Sequence, residues 1–324
     1  MKNRLTIIFV SILGACTSTQ PITSGSAAKA DPPGTVSLIT DPGFTQGIVL
    51  RGANSAAPGD KDTLFPFKRK NGQSVWKLAE WGSRYSLDAR QPQQLDSGIA
   101  YGDTGKKITF QQEGNTAKIS FEVLASREFK APRKANEDWP HLLLEQEFNQ
   151  VISVNKMNAL LLKMGARLMY CDNKTEAGKY DEGLHTAQFS LYLVVNNLNK
   201  NSAGYKDFIW FGVPLYDYRY KDIPAYQEKD QGKEDATGKF IYSLSGKEVF
   251  DGSLHDRQWT PISIDLHPAI KKAFETAQQN GFLKSSTLED MYVSGMNIGW
   301  EVPGTFDAGI QLEGISLKAV TKSK

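Results

Sequence analysis

The sequence predicts an all-β fold in which two antiparallel sheets stack as a sandwich, with one short amphipathic helix near the C-terminal end. Three observations predict it. Extended segments of alternating or apolar pattern run through most of the chain, turn-forming residues separate them, and no helices alternate with them as a βαβ fold would require. The extended segments fall at 107–112, 116–125, 141–148, 158–170, 186–197, 207–214, 238–244, 248–250, 258–265, 291–301 and 306–320. Glu113-Gly114-Asn115, Ser245-Gly246 and Pro303-Gly304 supply turns between them. The helix is expected over 267–281, where Pro268 suits the first turn, Ile270, Phe274 and Ala277 share a face, and Gly281 supplies a stop. A weaker helical pattern covers 74–85 around Trp76 and Trp81.

Composition narrows the function classes. A chain of 324 residues, 40% of them hydrophobic, can bury a sizeable core. With 38 Lys and Arg against 36 Asp and Glu there is no concentrated basic surface, so nucleic acid is not an expected partner. Cys16 and Cys171 are too far apart in sequence to form a metal-ligand motif and too few for a disulfide framework. Phosphate loops, Gly-x-Ser-x-Gly elbows and paired-His motifs do not occur, and His141, His185, His255 and His267 are well separated. No cofactor and no transition metal is expected. Calcium is a further alternative at Asp217, Asp222 and Asp230, although their spacing matches no loop motif.

The N-terminus reads as an address. Lys2 and Arg4 precede an apolar run over 5–13, shorter than the roughly 20 residues that span a bilayer. Leu13-Gly14-Ala15-Cys16 then resembles the bacterial lipobox. The resemblance implies removal of 1–15 as a signal peptide, lipidation of Cys16 and attachment to a membrane through that lipid. In this family of signals Thr17 implies, for a Gram-negative source, sorting to the outer membrane of the cell envelope. The Ser, Thr, Ala, Gly and Pro of 16–34 read as a flexible tether, leaving 35–320 as a single sandwich domain. Lys2 and Arg4 account for the whole excess of basic residues, so steering by net charge explains no contact of the mature chain.

Residues two apart on a strand share a face. In 141–148 one face carries His141, Leu143, Glu145 and Glu147. In 158–170 Lys163, Gly165 and Arg167 oppose an almost pure core face, and in 186–197 Gln188, Ser190, Tyr192 and Asn196 do the same. Asn297 and Glu301 share a face with Gly295 and Gly299, which leave room for a ligand near the backbone. Mixed hydrogen-bonders with aromatics suit a sugar polymer: donors and acceptors for hydroxyls, flat rings for pyranoses. The candidate ligand-binding set is His141, Lys163, Arg167, Gln188, Tyr192, Trp210, Tyr216 and Asn297; Tyr216, Tyr218 and Tyr220 alternate with charge in one loop region. The candidate catalytic carboxyls are Glu145, Glu147 and Glu301, because glycoside hydrolysis takes two carboxyls across the scissile bond.

The lipobox, the strand-rich body and the last strand together resemble bacterial lipoproteins with a concanavalin-like jelly-roll domain used in glycan binding or degradation. Trp300-Glu301-Val302-Pro303-Gly304 loosely resembles the acid-bearing strand end of some jelly-roll glucanases, whereas the Glu-x-Asp-x-x-Glu strand of laminarinase-like enzymes is not matched by 145–150. The resemblance implies a polysaccharide or oligosaccharide partner. A membrane-anchored polysaccharide-binding protein using a polar, concave sheet face is the expected function. A glycoside hydrolase or a lyase in the same groove, the lyase with Tyr192 or His141 as base and Arg167 on a uronate, is the alternative. A structural or interaction lipoprotein is the second alternative. Both sugar readings require Glu147, Arg167, Gln188, Tyr192 and Glu301 to converge in one cleft.

Overall fold

A computed structural model describes residues 31–52, 59–68, 71–113, 116–231 and 236–322. Cys16, the segment 1–15 and nearly all of the tether lie outside the described residues. In chain order the strands begin with β1 (Thr35–Ser37), β2 (Ile48–Arg51), β3 (Asp60–Leu64), β4 (Trp76–Ala79), β5 (Gln93–Leu95) and β6 (Gly98–Gly102). They continue as β7 (Lys106–Glu113), β8 (Thr116–Leu124), β9 (His141–Ser153), β10 (Met157–Asn173), β11 (Gln188–Asn197) and β12 (Phe208–Asp217). The last are β13 (Tyr226–Lys229), β14 (Phe240–Ser243), β15 (Thr260–Asp265), β16 (Met291–Glu301) and β17 (Phe306–Thr321). The α-helices are α1 (Ala125–Glu128), α2 (Gly246–Val249) and α3 (His267–Gln279).

The strands form two sheets of a jelly-roll sandwich. The larger, nine-stranded sheet runs β13-β14-β12-β11-β16-β9-β4-β2-β3. The smaller runs β15-β10-β17-β8-β7-β6-β5, with β1 added against β17. The chain alternates between them, β9 to β10 to β11 and β15 to β16 to β17, so neither sheet is a local unit. Pairing is antiparallel except for β2 with β4 and β12 with β14, which run parallel and depart from the all-antiparallel expectation.

Alternation in the sequence decides which face turns inward. Phe189, Leu191, Leu193 and Val195 of β11 and Ile298 and Trp300 of β16 are fully or almost fully buried and meet the inward residues of β8, β10 and β17. Trp300 packs edge-to-face on Phe189 at 5.2 Å, and its indole N–H donates to the Phe121 carbonyl at 3.0 Å, tying the larger sheet to the smaller. Helix α3 buries Ile270, Ala273, Phe274 and Ala277 on one face. Gly281, at φ +84°, supplies the left-handed residue just beyond it.

Local expectations fail for two of the expected segments. Segment 248–250 lies in and just after α2, where Ser245 and Glu248 form a capping box that favours a helical turn. Segment 74–85 is not helical. Trp76 and Leu78 of β4 point into the core, and Trp76 donates to the Asp41 carbonyl at 2.9 Å. The short strands β1 to β6 and β13 were not expected from the sequence.

Candidate glycan face

The outward face of the larger sheet is built in rows across the strands. One row runs Asp217, Gln188, Glu301, His141 from β12 to β9. The next runs Pro214, Ser190, Gly299, Leu143, and the third runs Tyr226, Ser243, Gly212, Tyr192, Asn297, Glu145, Lys77. The fourth carries Trp210, Val194, Gly295 and Glu147. Small residues in the second row thus lie between two polar rows, giving a shallow floor with hydrogen-bonding walls. Gln188, Ser190, Tyr192 and Asn297 are only partly exposed.

Its polar groups are held in fixed arrangements. Asp217 accepts from Thr186 at 2.8 Å, from Gln188 at 2.7 Å, and from Arg219 through Nε at 3.0 Å and Nη2 at 2.7 Å. Burial alone would raise its carboxyl, but these donors outweigh that and hold it below the usual carboxylate range. Glu145 pairs with Arg51 at 3.0 Å, yet burial keeps its carboxyl above the ordinary value. Burial also pushes the Tyr192 phenol upward, with the charge of Glu301 adding to the effect. Glu147 pairs with Lys77 at 3.4 Å, and its side chain is 89% exposed.

Glu301 and His141 form the most chemically suggestive contact. The imidazole Nε2 lies 3.5 Å from Glu301 Oε2, which also accepts from the Trp139 indole at 3.4 Å. The other ring nitrogen, Nδ1, faces the Trp139 carbonyl at 2.8 Å and the Trp81 carbonyl at 3.2 Å. A nitrogen facing carbonyl acceptors carries the proton, so Nε2 is the position left to exchange one with Glu301. Trp139 stacks on His141 at 5.8 Å, and the Arg133 guanidinium covers Trp139 at 4.9 Å.

The structure brings together His141, Gln188, Tyr192, Asn297, Glu145, Glu301 and Trp210 on this face, with Glu147 at its edge. It does not bring Lys163 or Arg167 there: both project from the outer face of the smaller sheet, because β10 belongs to that sheet. The convergence required of Arg167 with Glu147, Gln188, Tyr192 and Glu301 is therefore not met: four of the five share the face of the larger sheet and Arg167 lies on the other sheet. The five-residue cleft expected for both sugar readings does not form, the lyase arrangement that placed Arg167 on a uronate falls with it, and any glycan reading of this face rests on the residues that do gather there. Tyr216 is 2% exposed, packed on His255 at 4.6 Å and on Trp300 at 5.8 Å, and is core.

Asp217, Asp222 and Asp230 take separate partners, Arg219, Lys247 and Thr237. Among the described residues no group of three or more His, Cys, Asp and Glu gathers as a metal site. Cys171 is mostly buried, and that burial pushes its thiol up to about 12, so it is a weak nucleophile at neutral pH. The glycines of β16 have a structural reason first. A Cβ on Gly299 would stand 1.9 Å from the Leu142 carbonyl oxygen, and one on Gly295 would stand 3.0 Å from that of Gln146. Trp139, Trp81, Arg51 and Lys77 complete the face without having been singled out for it from the sequence, where the available signal was Trp139 beside the His141 strand. Arg219 and Asp217, expected from the sequence to bind sugar hydroxyls, instead bond to each other.

The two cavities described, of about 350 and 140 Å³, lie elsewhere. The first borders β6, β7 and β8 around Asp103, Lys106 and Glu122; the second opens near Phe44, Trp76 and Leu312.

No family model and no curated protein matches the sequence. Solved structures do show a likeness. Endoglucanase 3 of Trichoderma harzianum, from glycoside hydrolase family 12, shares 13% identity, with a TM-score of 0.37 over 78% of this chain and 100% of that one. A family 12 xyloglucanase from Bacillus licheniformis shares 9% identity, with a TM-score of 0.39 over 72% of this chain and 99% of that one. An endoglucanase of Rhodothermus marinus shares 9%, with a TM-score of 0.36 over 69% and 92%.

Proposed function

We propose that the protein binds a polysaccharide strand across the outer face of its larger sheet. The observation that carries this reading is the pair of polar rows around a floor of small residues, with Gln188 and Glu301 on one side and Tyr192 and Asn297 on the other. Such a face offers acceptors, donors and an aromatic edge to sugar hydroxyls and rings at once. Trp210, 6.4 Å from Tyr192 and edge-on to it, extends the aromatic end. The lipobox-like Leu13 to Cys16 supports the further reading that a lipid on Cys16 holds this face at the outer membrane of the cell envelope. A Cys16→Ser chain is then expected to leave the membrane fraction on cell fractionation, and its retention there would remove the anchoring role.

Hydrolysis is the second reading, favoured by the contact between Glu301 and His141. Glu301 keeps 34% of its side chain exposed on the face, with His141 Nε2 3.5 Å from its Oε2. Asp217 stands two strands away across Gln188, about 9.6 Å by strand spacing, near the upper limit for an inverting carboxyl pair. Both its oxygens are occupied by bonds to Arg219, Thr186 and Gln188, which suits a structural anion better than a base.

A glycan array with product analysis separates the readings. Tyr192→Ala should weaken binding by roughly tenfold. If Glu301→Gln binds as wild type does and neither releases reducing sugar, the face is a binding module. Cleavage by wild type that Glu301→Gln abolishes with binding kept makes it a hydrolase. A Tyr192→Ala chain that binds like wild type would overturn the face itself.

A further inference from the structure

We propose that the outer face of the smaller sheet is a second, separate glycan site, selective for acidic sugars, centred on Trp259 and Arg167. Trp259 immediately precedes β15, and its indole reaches over the sheet to lie 5.1 Å from the Arg167 guanidinium and 5.4 Å from the Lys118 ammonium. Beneath the ring, Gly165 of β10, Glu313 of β17 and Lys118 of β8 share one row. Gly165 offers no side chain there, and the Glu313 side chain lies over it.

The charge on this face selects the ligand. Arg167 gives one N–H to Gln311 at 3.0 Å, and among the described residues no carboxylate pairs with it. Its fork therefore keeps donors to offer a planar carboxylate. Lys163, exposed two positions before Gly165, forms no ion pair among the described residues either, and Lys318 stands on the same face of β17. Glu313 and Glu122, on the same face, already pair with Lys118 at 3.6 Å and Lys107 at 2.8 Å, whereas neither Arg167 nor Lys163 pairs with a carboxylate among the described residues.

The polar ladder continues the site across the sheet. Gln311 donates to Ser120 at 3.1 Å and to Gln111 at 3.4 Å, and Gln111 donates to Ser97 at 2.8 Å. A partly exposed indole beside a guanidinium suits a pyranose ring that carries a carboxylate: the ring stacks and the carboxylate meets Arg167. On the larger sheet, by contrast, Arg51, Lys77 and Arg219 each already face Glu145, Glu147 or Asp217. The two faces are therefore complementary to different chemistry. This assignment stands or falls independently of the glycan reading of the larger sheet.

The test is calorimetric titration of the full chain with an oligogalacturonate and with a neutral cello-oligosaccharide of equal length, at low and raised salt. The oligogalacturonate should bind with an affinity that falls as salt rises. Arg167→Gln and Trp259→Ala should each weaken it by roughly tenfold or more. Lys163→Gln, an exposed substitution that cannot unfold the sheet, should weaken it severalfold, and neither it nor Trp259→Ala should change binding to the larger sheet's face. Oligogalacturonate affinity indifferent to all three substitutions, or absent, overturns the proposal. So does binding to vesicles of anionic phospholipid that depends on Arg167 while the oligogalacturonate is ignored, which would make this a membrane-facing surface.

Discussion

At the residue scale, Asp217 shows how a side chain that looks catalytic serves to hold the face in shape. Its carboxylate ties β12 to β11 through Gln188, and it fixes the chain beyond the strand through Arg219 and Thr186. Asp217→Asn should cost about 3 kcal/mol, the scale for breaking a largely buried pair, read by urea denaturation at neutral pH. The sign of its pH dependence follows from the depressed folded-state value. Such a group adds stability that is complete above the unfolded value, near 3.9, and is lost as pH falls through the folded one. Wild type should therefore lose stability below about pH 4 more steeply than Asp217→Asn, and parallel curves would sink the assignment. Glu145, raised by burial, titrates with the opposite sign: its ionised form costs stability at neutral pH, and the cost fades as acid protonates it. The sequence made His141, Gln188, Tyr192, Asn297 and Glu301 legible, because each alternates with core residues on a long strand. It hid the role of Arg167, since alternation tells which residues share a face of one strand and never which sheet that strand joins.

At the scale of elements, length and one-sided, alternating burial decided what could be read. β10 spans 17 residues with core on one side, and β17 spans 16, so both stand out in the sequence. β3 is Asp60-Lys61-Asp62-Thr63-Leu64, with its first three residues exposed at the sheet edge, and no pattern announces it. β4 is a similar case: four residues of which Trp76 and Leu78 face inward leave too short a period to separate strand from helix. Gly299 marks the tightest contact between elements in the candidate face. Since an added Cβ would meet the Leu142 carbonyl of the neighbouring strand rather than a flexible side-chain end, relief requires β16 and β9 to move apart. Gly299→Ala should cost roughly 2–3 kcal/mol, measured by chemical denaturation. It should also weaken glycan binding while Tyr192 and Glu301 remain present. An unchanged midpoint would show that the two strands can separate freely, and that the glycine serves the ligand alone.

For the whole molecule, the consequence of crossing repeatedly between sheets is a shared interior. Neither sheet buries its inward face without the other, because the residues inside β11 and β16 pack against those of β8, β10 and β17. Local opening of one sheet would expose the core of both, so a single cooperative transition is expected even though the chain exceeds the size at which two-state unfolding is routine. Trp300 reports on this coupling, being fully buried in the larger sheet while its indole N–H reaches the Phe121 carbonyl in the smaller. Trp300→Phe keeps an aromatic ring against Phe189 and removes only the cross-sheet donor and part of the volume. It should lower stability by about 1–3 kcal/mol, with the denaturant slope unchanged and the tryptophan-fluorescence and far-ultraviolet dichroism transitions still superimposed. Two separated transitions in wild type would show that the sheets unfold independently. Both proposed glycan faces depend on the opposite result, since each is the outer surface of a sheet whose inner surface the other holds in place.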